Sequence, residues 1–125
     1  MTRELDQSDS LDEWLDFIDQ ITIDELDLGL ERVRQVYKNL NIKQSFPIVM
    51  VGGTNGKGST CAFLESIYHS ASYKVASYSS PHFFKFNERV RINNAACSDK
   101  VIVNALFRVN EARKNIPLTY FEMTT

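Results

Sequence analysis

The ten residues Val51–Thr60, VGGTNGKGST, set four glycines around a single cation, Lys57, and close on the hydroxyls of Ser59 and Thr60. Such groups can hold a polyphosphate. Gly53, Gly56 and Gly58 can reach backbone angles closed to other residues, so that several N–H groups converge on one anion. Lys57 supplies the compensating positive charge, and Ser59 and Thr60 offer oxygens to phosphate or to Mg²⁺. The pattern departs from the standard phosphate loop, G-x-x-x-x-G-K-[ST], in two places. Counted back from Gly56, the first glycine position holds Val51, and Gly58 separates Lys57 from Ser59. A flexible glycine turn with a surface lysine is the plainer alternative, and the flanking elements decide between the two.

Before the loop, Ile48–Val51 is a short apolar run that follows Pro47, which bars helix continuation, and it reads as a buried strand. After it, Leu64, Ile67, Tyr68 and Ala71 recur on one helical face, and Lys74–Tyr78 reads as the next strand. Strand, glycine loop and helix form the setting in which phosphate is expected. The N–H groups at a helix start lack intrahelical partners, and the helix dipole adds partial positive charge there. Elsewhere, Leu11, Trp14, Leu15, Ile18 and Ile21 mark a first helix with Trp14 in its core face, tied at its start by the S-x-x-E pattern of Ser10 and Glu13. Leu30, Val33, Tyr37 and Leu40 mark a second. Glu88–Ile92 alternates weakly as a strand, and Val101, Ile102, Ala105, Leu106 and Val109 mark a helix after Ser98. Thr119–Glu122 pulls two ways, since Thr, Tyr and Phe favour a strand while T-x-x-E caps a helix. The order of elements predicts an α/β fold, a P-loop-type nucleotide-binding domain with a mainly parallel sheet flanked by helices.

A chain of 125 residues corresponds to about one domain. Lys and Arg number 14 against 16 Asp and Glu, a net charge of −2, which provides no basic field for a nucleic-acid backbone. Anionic ligands must therefore be held locally. The amino terminus MTRELDQSDS is acidic and lacks the apolar core of a signal peptide, and no apolar run approaches the ~20 residues of a membrane span. A cytoplasmic protein with neither nucleic acid nor membrane as partner is expected. Cys61 and Cys97 have no CxxC partner and read as reduced structural thiols.

The segment G-T-N-G-K-G-S-T at 53–60 resembles the phosphate loop of the ATP-dependent amide ligases, the superfamily that joins the folylpolyglutamate synthases to the Mur peptidoglycan ligases. Three further stretches, DLGLERV at 27–33, YSSPHFFKFNERVRI at 78–92 and LTYFE at 118–122, resemble the bacterial bifunctional dihydrofolate synthase/folylpolyglutamate synthase family in order and spacing. The resemblance implies that Gly53, Thr54, Asn55, Gly56, Lys57, Gly58, Ser59 and Thr60 bind ATP, with Lys57 as the catalytic cation. It makes Ser80 a Mg²⁺ ligand. It places Asp27, Leu28, Gly29 and Leu30, together with Thr119, Tyr120, Phe121 and Glu122, in the dihydropteroate site, and it favours a helix start at Thr119. His82 and Phe83 fall by the same analogy on a loop near the substrate pocket, and neither His82 nor His69 receives a catalytic role.

Each stretch also has a plainer reading. Asp27 can simply cap a helix whose Leu30 and Val33 face the core. SSPH can be an ordinary turn, and ERVRI an edge strand with Glu88, Arg89 and Arg91 in solvent and Val90 and Ile92 packed. The reaction that the resemblance implies is amide formation. ATP converts a carboxylate to an acyl phosphate, and the α-amine of L-glutamate displaces the phosphate. The substrates are dihydropteroate, giving dihydrofolate, or a reduced folate, which is extended through its γ-carboxylate. Both pterin-site stretches must then meet near the ATP γ-phosphate. Members of that family are much longer, so residues 1–125 are expected to form part of an amino-terminal ATP-binding domain of a monomeric enzyme. The carboxy-terminal glutamate-binding domain, the remaining Mg²⁺ ligands, a carbamylated lysine and the adenine contacts would lie beyond Thr125. Alternatives are a monofunctional folylpolyglutamate synthase, a Mur-type ligase, which should lack DLGLERV and SSPH, and a non-catalytic nucleotide-binding module if the natural chain ends at Thr125.

Overall fold

The computed structural model describes residues 4–23 and 29–125. They fall into two compact units, one drawn from residues up to Gln44 together with Asp99–Thr125, the other from Ser45–Ser98.

The first unit is helical. Helix α1, Leu11–Ile21, begins in the capping box that its sequence announces: Ser10 Oγ accepts from the Glu13 amide at 3.3 Å, and the Glu13 carboxylate accepts from the Ser10 amide at 2.8 Å. Leu11, Trp14 and Ile18 form its buried stripe. The Trp14 indole N–H donates to the Asp6 carbonyl at 3.0 Å, and its ring meets Phe17 and Phe107 edge-on, so its polar atom is satisfied inside the core. Helix α2, Glu31–Leu40, stops at Asn41, which takes a left-handed φ of 50°. Its buried residue is Val36, while Leu30 and Tyr37 of the predicted stripe are exposed. The inward face is rotated from the predicted one because Arg32 and Asn39 also turn inward, to Glu122 and to the Ala112 carbonyl. Helix α4, Asp99–Arg113, packs on α1 and α2 through Ile102, Val103 and Leu106. Helix α5, Tyr120–Thr124, starts in a second capping box formed by Thr119 and Glu122, which resolves the local conflict in favour of helix. Leu118 just before it and Met123 within it are buried, each contributing about 1.5–3 kcal/mol of hydrophobic stabilisation.

In the second unit, helix α3, Lys57–Ser70, precedes a three-stranded sheet of β1, Ala76–Tyr78, β2, Val90–Ile92, and β3, Ala95–Ala96. Both pairings are antiparallel, with Ser77 opposite Arg91 and Arg91 opposite Ala96. Asn93 and Asn94, with φ of 49° and 65°, make the two-residue turn between β2 and β3, a link too short for anything but antiparallel pairing. The predicted mainly parallel sheet is therefore not what these residues form. Ile48–Val51 is not a strand either, and Met50 is 92% exposed. A strand of a parallel sheet needs partners alongside it, and among the described residues none pairs with this segment. Glu88–Ile92 is part 3₁₀ turn, Phe86–Arg89, and part β2, which lies between β1 and β3 and is not an edge. Both cysteines are free, and burial pushes the Cys97 thiol up from its ordinary pKa. No helix of the described residues is long and apolar enough to cross a membrane.

Candidate active site

The glycine loop ends at Gly56, which caps α3 with φ 76° and ψ 4°. This left-handed conformation favours glycine. A Cβ there would meet nothing within 4 Å, so backbone geometry and not crowding demands the residue. The first bond of α3 runs from the Thr60 amide to the Gly56 carbonyl at 2.9 Å. The amides of Lys57, Gly58 and Ser59 precede it and have no helical acceptor. Gly58 lies within the helix and makes no use of positive φ, unlike Gly53 and Gly56; its contribution is an open surface, with nothing within 4 Å of an added Cβ. Residues 52–60 are exposed. Lys57 folds back over the loop, its Nζ donating to the carbonyls of Gly53 at 2.7 Å and Thr54 at 3.4 Å. The Thr60 hydroxyl donates to the Gly56 carbonyl at 2.9 Å, which leaves its lone pairs outward.

The segment after β1 is shaped by two residues from the 3₁₀ turn. Ser79 N donates to the Arg89 carbonyl at 2.9 Å. The Glu88 carboxylate accepts the amides of Phe83, Phe84 and Lys85 at 2.9, 2.9 and 2.7 Å. These bonds, first that from Phe83, hold its pKa below the ordinary carboxylate value. Arg89 Nε donates to His82 Nδ1 at 2.9 Å, and its guanidinium lies 5.3 Å from the centroid of the Phe86 ring. Glu88 and Arg89 thus order the loop of Ser80, His82 and Phe83 from behind, and Ser80 and Phe83 remain exposed.

Among the described residues, no three His, Cys, Asp or Glu side chains gather where they could hold a metal ion. The hydroxyls of Ser59, Thr60 and Ser80 are hard oxygen donors. That set suits Mg²⁺, which keeps several waters and binds through few protein ligands together with substrate phosphates.

The other candidates lie in the helical unit. Asp27 and Leu28 fall outside the described residues. Gly29 and Leu30 lead into α2, and Leu30 is its N-cap without a side-chain bond. Thr119 to Glu122 open α5. Arg32 joins the two stretches, with Nε 3.3 Å from Glu122 Oε1 and Nη2 3.2 Å from Oε2. Glu122 also accepts the Thr119 amide at 2.8 Å, so its carboxylate is engaged, while the Phe121 ring is exposed.

Four residues with a part in this arrangement carried no usable sign in the sequence. Glu88 and Arg89 read as solvated charges of an edge strand, and Arg32 carries no reading of its own within DLGLERV. Glu65 sat next to the predicted apolar face of α3, yet it is the buried residue of that helix, and Leu64 is half-buried while Ile67 and Tyr68 face outward. A cavity of about 120 Å³ beside Glu65 is lined also by Gly58, Cys61, Ser77, Ser79 and Arg91.

No protein-family profile matches the chain. The Escherichia coli K12 protein named dihydrofolate synthase/folylpolyglutamate synthase is 42% identical over 113 residues, 90% of this chain and 27% of that protein. Among solved structures, Escherichia coli FolC in complex with DHPP and ADP superposes with a TM-score of 0.88 at 39% identity, covering 97% of this chain and 30% of that one. The Yersinia pestis bifunctional folylpolyglutamate synthase/dihydrofolate synthase complexed with AMPPNP and Mn gives 0.88 at 37% identity, again over 97% and 30%. The chain spans 27–30% of the length of three curated relatives it matches. With four motifs in register and a superposition over almost every residue, the chain is homologous over its length to a stretch of less than a third of the dihydrofolate synthase/folylpolyglutamate synthases.

Proposed function

We propose that the protein carrying this chain is an ATP-dependent ligase that joins L-glutamate to 7,8-dihydropteroate and to reduced folates. The observation that carries the reading is the start of α3: a left-handed Gly56, three open amides and a lysine folded over an exposed loop. Its support is the homology to proteins so named, among them structures solved with ADP or with AMPPNP and Mn.

The chemistry asks for charge to be offset and groups to be aligned, and it needs no protein nucleophile. The open amides of Lys57, Gly58 and Ser59 and the ammonium of Lys57 would hold the β- and γ-phosphates, and the dipole of α3 adds to their field. Lys57 would exchange the carbonyls of Gly53 and Thr54 for phosphate oxygens. Ser80, with Ser59 or Thr60, would hold Mg²⁺, which when bound withdraws charge from the phosphate oxygens. The substrate carboxylate then attacks the γ-phosphorus to give an acyl phosphate and ADP, and the glutamate amine displaces phosphate to form the amide. Gly29, Leu30, Thr119, Tyr120, Phe121 and Glu122, with Asp27 and Leu28, are assigned to the pterin. Arg32 would fix Glu122, and the Phe121 ring is free to stack. We assign residues 1–125 to the amino-terminal ATP-binding domain of a cytoplasmic monomer, in which further chain would supply the partners of Ile48–Val51 in a mainly parallel sheet and the glutamate-binding domain.

The test is ADP release by the full-length protein, with L-glutamate and either dihydropteroate or a reduced folate. Turnover on both substrates, each dependent on glutamate, is expected. Turnover on the reduced folate alone makes the protein a monofunctional folylpolyglutamate synthase, and turnover on neither removes the reading.

A further inference from the structure

Helix α3 carries the phosphate loop at its start, and its apolar residues are half-buried or exposed. Its buried residue is a carboxylate, Glu65, only 3% exposed. The Glu65 side chain is satisfied from three directions. Oε2 accepts Ser77 Oγ of β1 at 3.0 Å and Arg91 Nε of β2 at 3.1 Å, and Oε1 accepts the backbone amide of Asn94 in the β2–β3 turn at 2.8 Å. Directional hydrogen bonds from three partners to one buried charge fix both the rotation of the helix and its position along the sheet. Glu65 lies just over two helical turns from Lys57. Ser77 lies three residues before Ser80 on the strand that leads into the SSPH loop. The cavity beside Glu65 has Gly58 of the phosphate loop and Ser79 of that second loop in its wall.

We propose that Glu65 is a positioning residue that sets the phosphate-loop helix against β1, and thereby the amides of Lys57–Ser59 against the loop of Ser80, at the spacing a metal–nucleotide complex requires. It touches neither phosphate nor metal and acts through α3 and Ser77. The inference rests on the nucleotide-site reading given above. Removal of one partner from a buried ion pair is disruptive in general, but Arg91 is 41% exposed and returns to water. Glu65→Gln keeps the shape but removes the charge, and with its oxygen toward Ser77 and Arg91 its amide nitrogen faces the Asn94 amide, donor against donor, so one of the three bonds is lost and that to Arg91 is no longer charge-assisted on both sides. Ser77→Ala removes the β1 tie alone, with no change of charge, and carries the test if Glu65→Gln does not fold.

The measurement is the affinity of full-length protein for ADP with Mn²⁺, read by electron paramagnetic resonance of the metal at a temperature where each variant is folded, beside its melting temperature without ligand. Glu65→Gln is expected to weaken Mn²⁺–ADP binding about fivefold, less than the roughly tenfold or more lost with a direct partner of a metal ligand, because Glu65 acts one step further out through Ser77 and α3. Ser77→Ala is expected to weaken it in the same direction by a smaller factor. Steady-state turnover should show a raised KM for ATP and half-saturating metal, with kcat little changed. Wild-type affinity in the folded variants, with only the melting temperature lowered, would mean that Glu65 merely stabilises the fold and would overturn the proposal. Absence of Mn²⁺–ADP binding by the wild-type protein would overturn the nucleotide-site reading itself, and the proposal with it.

Discussion

At the scale of single residues, Lys57 and Glu88 show how charge can be used in opposite ways on one surface. Lys57 is exposed and makes only replaceable bonds to carbonyls of its own loop, so its ammonium can move to phosphate with little loss. Lys57→Ala in the full-length protein should leave the fold unchanged and lower kcat/KM for ATP by about 10²–10³, the range for removal of one preorganised charge-stabilising donor. Steady-state kinetics on the purified variant checks this, and a value near wild type contradicts it. Glu88 is fixed by three amide donors that its protonated form would satisfy less well. Because its folded-state pKa is depressed, the loop stabilisation it supplies is fully present above the unfolded-state value of about 4.3. It is lost only as pH falls through the lower folded-state value. The amide resonances of Phe83, Phe84 and Lys85 should therefore shift together in an acid titration with a midpoint below that of an ordinary glutamate. A midpoint at or above it would remove the clamp. The glycines and Lys57 were legible in the sequence because their types are rare in combination. Glu65, Glu88 and Arg32 were not, since a charged residue that turns inward looks the same in sequence as one that faces water.

Among elements, helix starts were the most legible, for the reason that a capping box is local: Ser10 with Glu13 and Thr119 with Glu122 each close within four residues. Ser10→Ala should lower the stability of the helical unit by about 1 kcal/mol, as for other N-cap serines, and move the urea midpoint without changing its slope. An unchanged midpoint would show that burial of Trp14 and Ile18 alone sets the register of α1. Stripes were read less well. The apolar periodicity of α2 and α3 gave the right elements but shifted faces, because Arg32, Asn39 and Glu65 occupy inward positions through hydrogen bonds that periodicity cannot weigh. Ile48–Val51 has the composition of a buried strand, yet Ile48, Val49 and Met50 lie exposed, since strand formation depends on neighbours that no local pattern records.

On the scale of the whole molecule, the resemblance carried further than the topology. The α/β class and the homology to dihydrofolate synthase/folylpolyglutamate synthases agree with the motifs, whereas the parallel sheet expected from strand, loop, helix and strand is replaced within these residues by an antiparallel one. Sheet pairing is non-local, and the links that decide it, such as Asn93–Asn94, are too brief to stand out in a sequence. The proposed function rests on one arrangement, in which the loop of Gly53–Thr60 would hold the β- and γ-phosphates of ATP. The most direct test is a crystal structure of the full-length protein with a non-hydrolysable ATP analogue and Mg²⁺. The amides of Lys57, Gly58 and Ser59 and the Lys57 ammonium are expected within hydrogen-bond distance, about 2.7–3.2 Å, of β- and γ-phosphate oxygens, with Nζ gone from the Gly53 carbonyl. Nucleotide bound elsewhere, with Lys57 still folded onto Gly53, would contradict the account.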